Sequence, residues 1–141
     1  MIRKLQNADM DRVAGIWLDA NLRAHCFIPP QYWKSNFDPV KEMLPRAEVY
    51  VYDNGRVIWG FIGLNGVFID GIFVSGEMLS RGIGKRLLDF VKTKKTELRL
   101  NVYQKNMRAI RFYQREGFKI LREGMDEATG EKDYEMTWRQ E

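Results

Sequence analysis

The chain of 141 residues contains one cysteine, Cys26, and one histidine, His25. A lone cysteine cannot form an internal disulfide, and it cannot supply the paired thiolates of a cysteine-based zinc site. A lone histidine likewise excludes a cluster of several histidines around a metal ion. The sequence therefore predicts no metal centre, and it excludes a small scaffold held together by disulfides.

Long apolar runs and a strong charge imbalance are also missing. No stretch approaches the roughly 20 apolar residues that span a membrane, and residues 1–5 lack the apolar run of a signal peptide. Lysine and arginine outnumber acidic residues by 23 to 19, a mild excess that suits an anionic cofactor and does not by itself indicate nucleic acid. We therefore expect a cytoplasmic protein with neither a membrane nor a nucleic-acid partner.

Turn sequences and apolar patterns predict a single α/β (α+β) domain over residues 1–141. Two hairpin turns, Asp53-Asn54-Gly55 and Asn65-Gly66, connect apolar segments, so the second, third and fourth strands should form an antiparallel meander. A strand predicted over 98–103 follows a helix predicted over 83–95, so it should run parallel to the fourth strand. The predicted order is β-α-α-β-β-β-α-β-α-β-β.

The other boundaries depend on caps and prolines. Asn7 is predicted to cap the first helix, and Pro39 can divide the second helix into two pieces. The last helix is predicted over 105–116. Two closing strands are predicted over 118–122 and 134–138, around a turn.

A glycine-containing loop follows the fourth predicted strand and opens a helix. It reads Leu79-Ser80-Arg81-Gly82-Ile83-Gly84-Lys85. The first N–H groups of a helix have no partner inside it and the helix dipole is positive there, so such an end can bind phosphate. Gly82 and Gly84 would let a ligand approach the backbone closely. Taken alone, the pattern fits equally well a strand–helix turn whose glycines serve packing.

A second motif lies further along the chain. Its members are Asn106, Ala109, Phe112, Tyr113, Gly117 and Phe118. The two motifs resemble the signatures of the GNAT superfamily of acetyl-coenzyme A (acetyl-CoA) dependent N-acetyltransferases, Gln/Arg-x-x-Gly-x-Gly/Ala and Asn-x-x-Ala-x-x-Phe-Tyr-x-x-x-Gly-Phe. The resemblance covers essentially the whole chain, and it implies a mixed, mostly antiparallel sheet with helices on both faces. Leu79 departs from the first signature, which predicts weaker cofactor binding.

The resemblance implies acetyl-CoA as the cosubstrate and assigns residues to it. The pyrophosphate would lie on the loop formed by Leu79, Ser80, Arg81, Gly82, Ile83, Gly84 and Lys85. The pantetheine arm would pair with the exposed backbone of Ile72, Phe73 and Val74, like an added strand. Asn106 and Ala109 would contact the cofactor at the start of the last helix, where Asn106 is also a plain N-cap.

Tyr113 is the predicted catalytic residue, because a phenol with a reference pKa of about 10 is a suitable proton donor to a leaving thiolate. Outside this motif it would be interpreted as a core tyrosine. The base is open: some relatives carry a Glu early in the fifth strand, where this chain has Asn101, which cannot accept a proton. The candidates are Asp70, Glu77, Glu48, His25 and Tyr103. A water chain to bulk solvent is an equal alternative.

The acceptor is expected near residues 23–43 and near the hairpin between the last two strands. That hairpin carries an acidic group, Asp126, Glu127, Glu131 and Asp133. These carboxylates either attract a cationic amine or form an ordinary solvated turn. The resemblance implies acetyl transfer to a primary amine by direct attack in a ternary complex. The amine would be a lysine or N-terminus of a protein or peptide, or a small amine.

Two other functions stay open at the level of sequence. A non-catalytic coenzyme A sensor on the same fold would bind the cofactor without turnover. A nucleic-acid-binding domain would use the basic helix over 85–95, which also carries Asp89 and a full apolar face. The oligomeric state, monomer or homodimer, is not indicated.

Overall fold

A computed structural model describes all 141 residues. Its strands are β1 (Ile2–Lys4), β2 (Glu48–Asp53), β3 (Ile58–Asn65), β4 (Phe68–Val74), β5 (Glu97–Tyr103), β6 (Lys119–Asp126) and β7 (Glu131–Arg139). They form one sheet in the order β1-β2-β3-β4-β5-β7-β6. Every neighbouring pair is antiparallel except β4 and β5, so the predicted meander and the predicted parallel pair are confirmed.

Five α-helices connect these strands. They are α1 (Met10–Ala24), α2 (Pro30–Ser35), α3 (Phe37–Met43), α4 (Ile83–Lys92) and α5 (Met107–Arg115). The predicted second helix is divided at Asn36, and Pro39 lies in the first turn of α3, where its missing N–H would have no helical partner. No helix is long and apolar enough to cross a membrane.

Several predicted boundaries are wrong by a few residues. Asn7 is not a helix cap: it begins a short 3₁₀ turn, and the Asp9 carboxylate closes that turn by accepting the N–H of Gln6 at 2.8 Å. Helix α4 ends at Lys92, where the Thr93 hydroxyl donates to a carbonyl of the last turn. Strands β6 and β7 extend to the turn itself, because their residues pair throughout the hairpin.

Helices cover both faces of the sheet, and alternate strand residues supply the two cores. Phe61 packs with α1 and α2 on one face, whereas its neighbour Ile62 packs with α4 and α5 on the other. This alternation is the period of two expected for a strand buried on both sides. The sheet is therefore the middle layer of three.

Strands β4 and β5 pair over two positions only, Phe68 with Arg99 and Ile69 with Leu100. Immediately after these pairs, the register between β3 and β4 shifts, which leaves Asp70 unpaired as a β-bulge. From Asp70 onward β4 separates from β5. The sheet is thus split at its centre, along the edge of β4 that ends at Val74.

Candidate active site

A cavity of about 540 Å³ opens where β4 and β5 separate. Trp17 and Asn21 of α1 line it from one face of the sheet, and Ala109 and Tyr113 of α5 line it from the other. The split therefore connects the two faces. Neither Trp17 nor Asn21 belongs to a motif, and the helical periodicity of α1 did not indicate that either residue lines a cavity.

The free edge of β4 borders this cavity. The N–H of Ser75 donates to the Trp59 carbonyl of β3 at 2.8 Å. In an antiparallel ladder every second residue directs its peptide groups toward the same neighbouring strand, so Phe73 also faces β3. The peptide groups of Ile72 and Val74 then face the gap. The Val74 carbonyl accepts a bond from the Arg23 guanidinium at 3.1 Å, which shows that this edge takes partners from outside the sheet.

The glycine-containing loop leads from β4 into α4. Gly82 has φ +81° as the N-cap, and Ser80 has φ +62°. Arg108 of α5 holds this unusual conformation by donating to the Ser80 hydroxyl at 2.7 Å. A Cβ on Gly82 would have no protein atom within 4 Å, so the helix N-terminus is open to solvent. This geometry fits a pyrophosphate group.

Lys85 and Leu79 flank this loop. The Lys85 ammonium pairs with Asp89 at 3.0 Å and with Glu116 at 3.1 Å. Leu79 is half-buried and supplies no polar group. The groups that this loop leaves free for an anion are therefore its backbone N–H groups and the exposed Arg81 side chain.

Asn106 connects the start of α5 to His25, which follows α1. Its Oδ1 accepts the N–H of Ala109 at 3.3 Å, which confirms the predicted N-cap and leaves Nδ2 facing Nε2 of His25 at 3.2 Å. On the other side of the ring, Asn21 Oδ1 lies 3.0 Å from His25 Nδ1, because Asn21 Nδ2 donates to the Trp17 carbonyl at 2.9 Å. Both amide orientations are thus fixed, and they place the imidazole proton on Nδ1.

His25 is surrounded by aromatic rings. It stacks on Trp33 with centroids 5.4 Å apart and meets Phe27 and Tyr103 edge-on. Burial lowers the pKa of His25 from 6.5 to about 4. The ring is neutral at pH 7 with both nitrogens engaged, so it is unsuited to accept a proton from an amine.

Among the base candidates, Asp70 both lines the cavity and has no partner in the protein. Glu48 and Glu77 lie outside the cavity lining, and the Tyr103 hydroxyl donates to Asp126. The Asp70 carboxylate lines the cavity and makes no hydrogen bond or ion pair. It opens to solvent at the mouth, yet partial burial raises the pKa of Asp70 above its usual value. A carboxylate with these properties can take a proton from a bound ammonium group.

Tyr113 has the properties of a proton donor. Its ring is 7% exposed and packs edge-on against Phe112 and Phe118, at centroid distances of 5.2 and 5.4 Å. Its hydroxyl has no partner in the protein and is not sealed off from the cavity. Burial raises the pKa of Tyr113, so the phenol stays protonated at neutral pH.

The side of the cavity formed by β4 and the β6–β7 hairpin is acidic. Its carboxylates come from Asp70 on β4 and from the β6–β7 hairpin at Asp126, Glu127 and Asp133. Glu131 of the same hairpin pairs with Lys105 at 3.1 Å and is not part of the lining. Burial, and the charges of Asp126 and Glu135, raise the pKa of Asp133. Three of the four acids of this hairpin therefore line the cavity.

Comparison with known proteins assigns the family. Residues 45–120 match the model of the acetyltransferase (GNAT) domain. The chain is 33% identical to the peptidyl-lysine N-acetyltransferase YiaC of Escherichia coli K12, over 98% of this chain and 96% of the relative. The chain therefore belongs to the GNAT acetyltransferase family, as the two motifs indicated.

Solved structures agree in fold. The solution structure of apo YjaB from Escherichia coli has a TM-score of 0.87 at 26% identity, covering 98% of this chain and 96% of that one. An aminoglycoside 6′-N-acetyltransferase complexed with coenzyme A has a TM-score of 0.73 at 16% identity, covering 99% and 96%. The chain is an acetyl-CoA-dependent N-acetyltransferase with the mixed sheet predicted from its sequence.

Proposed function

We propose that the acceptor is the side chain of a lysine in a protein or peptide. The observation that carries this proposal is the set of four cavity carboxylates, none of which has a cationic partner in the protein. A lysine presents a compact cation on a flexible stem, which suits entry into such a cavity. The relatives named peptidyl-lysine N-acetyltransferases, YiaC and YjaB, support the same acceptor class.

The cosubstrate is assigned to the cofactor side of the split sheet. The pyrophosphate would be held by the loop at Leu79, Ser80, Arg81, Gly82, Ile83, Gly84 and Lys85. The β4 segment Ile72, Phe73 and Val74 would pair with the pantetheine arm, chiefly through the two residues whose peptide groups face the gap. Asn106 and Ala109 would border the cofactor from the start of α5. Residues 1–141 would act as one domain.

Two side chains would move protons in the reaction. Bound acetyl-CoA supplies an acetyl group activated as a thioester. Asp70 accepts a proton from the acceptor ammonium, which gives the uncharged amine needed to form the new C–N bond. Tyr113 donates its phenolic proton to the sulfur as the C–S bond breaks. The acceptor nitrogen releases its second proton to solvent as the amide forms, and solvent returns a proton to the Tyr113 phenolate. His25 and Asn106, whose side chains are 3.2 Å apart, hold the start of α5 at the cavity.

The experiment measures thiol release and peptide acetylation together, using a peptide with one lysine and a blocked N-terminus. Tyr113→Phe should lower kcat by about 10²–10⁴-fold with little loss of stability, because the hydroxyl has no protein partner. Asp70→Asn should lower kcat comparably, and it should remove the rise in rate as pH passes upward through the raised pKa of Asp70.

Glu141→Gln is the matched control. Glu141 is an exposed acid outside the cavity and outside the segment where the acceptor is expected, so its loss should leave the rate unchanged. Turnover of small amines with no peptide acetylation would exclude the lysine proposal. A Tyr113→Phe enzyme as fast as the parent would exclude the role of Tyr113 as acid.

A further inference from the structure

We propose that this enzyme selects lysines flanked by other cationic residues, so that its acceptors are Lys- and Arg-rich segments. This inference rests on the proposed function. It concerns the residues around the acceptor lysine, which enter no step of the acetyl transfer itself.

The cavity carries more negative charge than one acceptor can neutralise. Four carboxylates line it, Asp70, Asp126, Glu127 and Asp133, and no lysine or arginine does. The chain has an excess of cations, 23 against 19 acids, and forms ion pairs at many other places. None of these pairs includes a cavity carboxylate. Because an acceptor lysine brings one positive charge, carboxylates remain for its neighbours.

The acidic hairpin is held at the cavity by specific contacts. Asp126 accepts the hydroxyl of Tyr103 on one oxygen and the N–H of Ala128 on the other, at 3.0 Å. These bonds leave its negative charge without a cation. Glu127 follows it at the exposed turn and makes no side-chain bond. Together with Asp70, which is also exposed, these two carboxylates give the cavity a negatively charged rim.

The same cavity contains one buried polar side chain without a partner in the protein. Tyr113 is 7% exposed and lines the cavity, and its hydroxyl makes no hydrogen bond within the protein. Buried polar side chains without a partner are uncommon in folded proteins. Independently of the acidic rim, the Tyr113 hydroxyl therefore indicates that this cavity holds a polar ligand.

The flanking residues of a bound peptide must lie at the mouth of this cavity, since its lysine side chain occupies the interior. Cations there are attracted to the rim, whereas acids are repelled by like charge. The interaction is between exposed groups, so salt should weaken it. A flanking arginine therefore favours binding, and a flanking glutamate opposes it.

The test uses three short peptides with blocked N-termini and one central lysine. The lysine is flanked by two arginines, two alanines or two glutamates, so each peptide has a single acceptor. At low salt, kcat/KM for the arginine peptide should exceed that of the alanine peptide by about tenfold. The glutamate peptide should be slower than both. High salt should reduce the differences in kcat/KM among the three peptides.

Two variants test whether the preference for the arginine peptide arises at the cavity rim. Glu127→Gln should shrink the preference for the arginine peptide severalfold, whereas Glu141→Gln removes one exposed acid outside the cavity and should leave the preference intact. Equal kcat/KM for the three peptides, or a preference that Glu127→Gln does not change, would overturn the inference while the lysine proposal stands. Turnover of a small amine with no peptide acetylation would overturn both.

Discussion

Gly82 is the N-cap of α4 and has a φ of +81°, and a Cβ at this position would have no protein atom within 4 Å. Two explanations of this glycine differ in what they predict. If it serves only the turn, replacement by alanine costs backbone strain alone. If it lets a phosphate approach the helix N-terminus, the added methyl group also obstructs the cosubstrate. Gly82→Ala separates the two.

The structure provides two matched controls. Gly55 at φ +97° and Gly66 at φ +64° lie in hairpin turns outside the cavity lining, and neither has a protein atom within 4 Å of a Cβ. For a residue other than glycine this conformation costs about 1–2 kcal/mol. The less flexible unfolded chain offsets about 0.4–1 kcal/mol of that cost. All three alanine variants should therefore lose about 1 kcal/mol of unfolding free energy.

Only the Gly82 variant should also lose affinity for the cosubstrate. A hydrogen bond to a charged group contributes about 1.5–3 kcal/mol. Losing one such bond to the pyrophosphate raises the Kd for acetyl-CoA by about ten- to a hundredfold.

The assay is calorimetric titration of each variant with acetyl-CoA, paired with urea denaturation. Gly55→Ala and Gly66→Ala should bind like the parent at similar stability, and Gly82→Ala should bind weakly. If all three variants bind alike, Gly82 serves the turn alone, and the assignment of the pyrophosphate to this helix end is wrong.

Two further predictions concern stability. Burial lowers the pKa of His25 to about 4 from 6.5, so the unfolded chain takes up this proton first as pH falls. The contribution of the neutral His25 ring to the unfolding free energy is therefore complete above about pH 6.5. It should decrease from about pH 6.5 down to about pH 4, by up to about 1.4 kcal/mol per pH unit. Urea denaturation across this range should show a flatter profile for His25→Gln, and superimposable profiles would contradict the prediction. Asp9 is 7% exposed and accepts bonds from Arg3 at 2.7 and 3.1 Å, so Asp9→Ala should cost about 3 kcal/mol of unfolding free energy. Its KM values should be unchanged, and a loss below about 1 kcal/mol would show that the pair contributes little.

Features that depend on a few adjacent residues were predictable. Asn106 caps α5 by bonding the N–H three residues ahead, and Asn65-Gly66 makes a hairpin whichever sheet it joins. The glycine-containing loop likewise follows from local backbone preferences, since Gly82 takes a positive φ that other residues avoid. These local rules identified both motifs and the order of the elements. They failed at Asn7, which begins a 3₁₀ turn that the Asp9 carboxylate closes by accepting the N–H of Gln6.

The composition of the site could not be predicted in this way. Nothing local indicates that Asp70 is the bulge at which β4 leaves β5, or that β7 enters the sheet between β5 and β6. The bond between His25 and Asn106 joins residues 81 positions apart. These long-range arrangements therefore determine which base candidates line the same cavity as Tyr113.

The sequence by itself determined the family, the two motifs and the alternation of strands and helices, because caps, turns and apolar periodicity act over a few residues. The tertiary structure decided which carboxylates share one cavity with Tyr113, and it left His25 neutral within an aromatic cluster. Strand order, register and burial depend on packing between distant segments. The charge of the acceptor pocket is therefore a property of the folded chain.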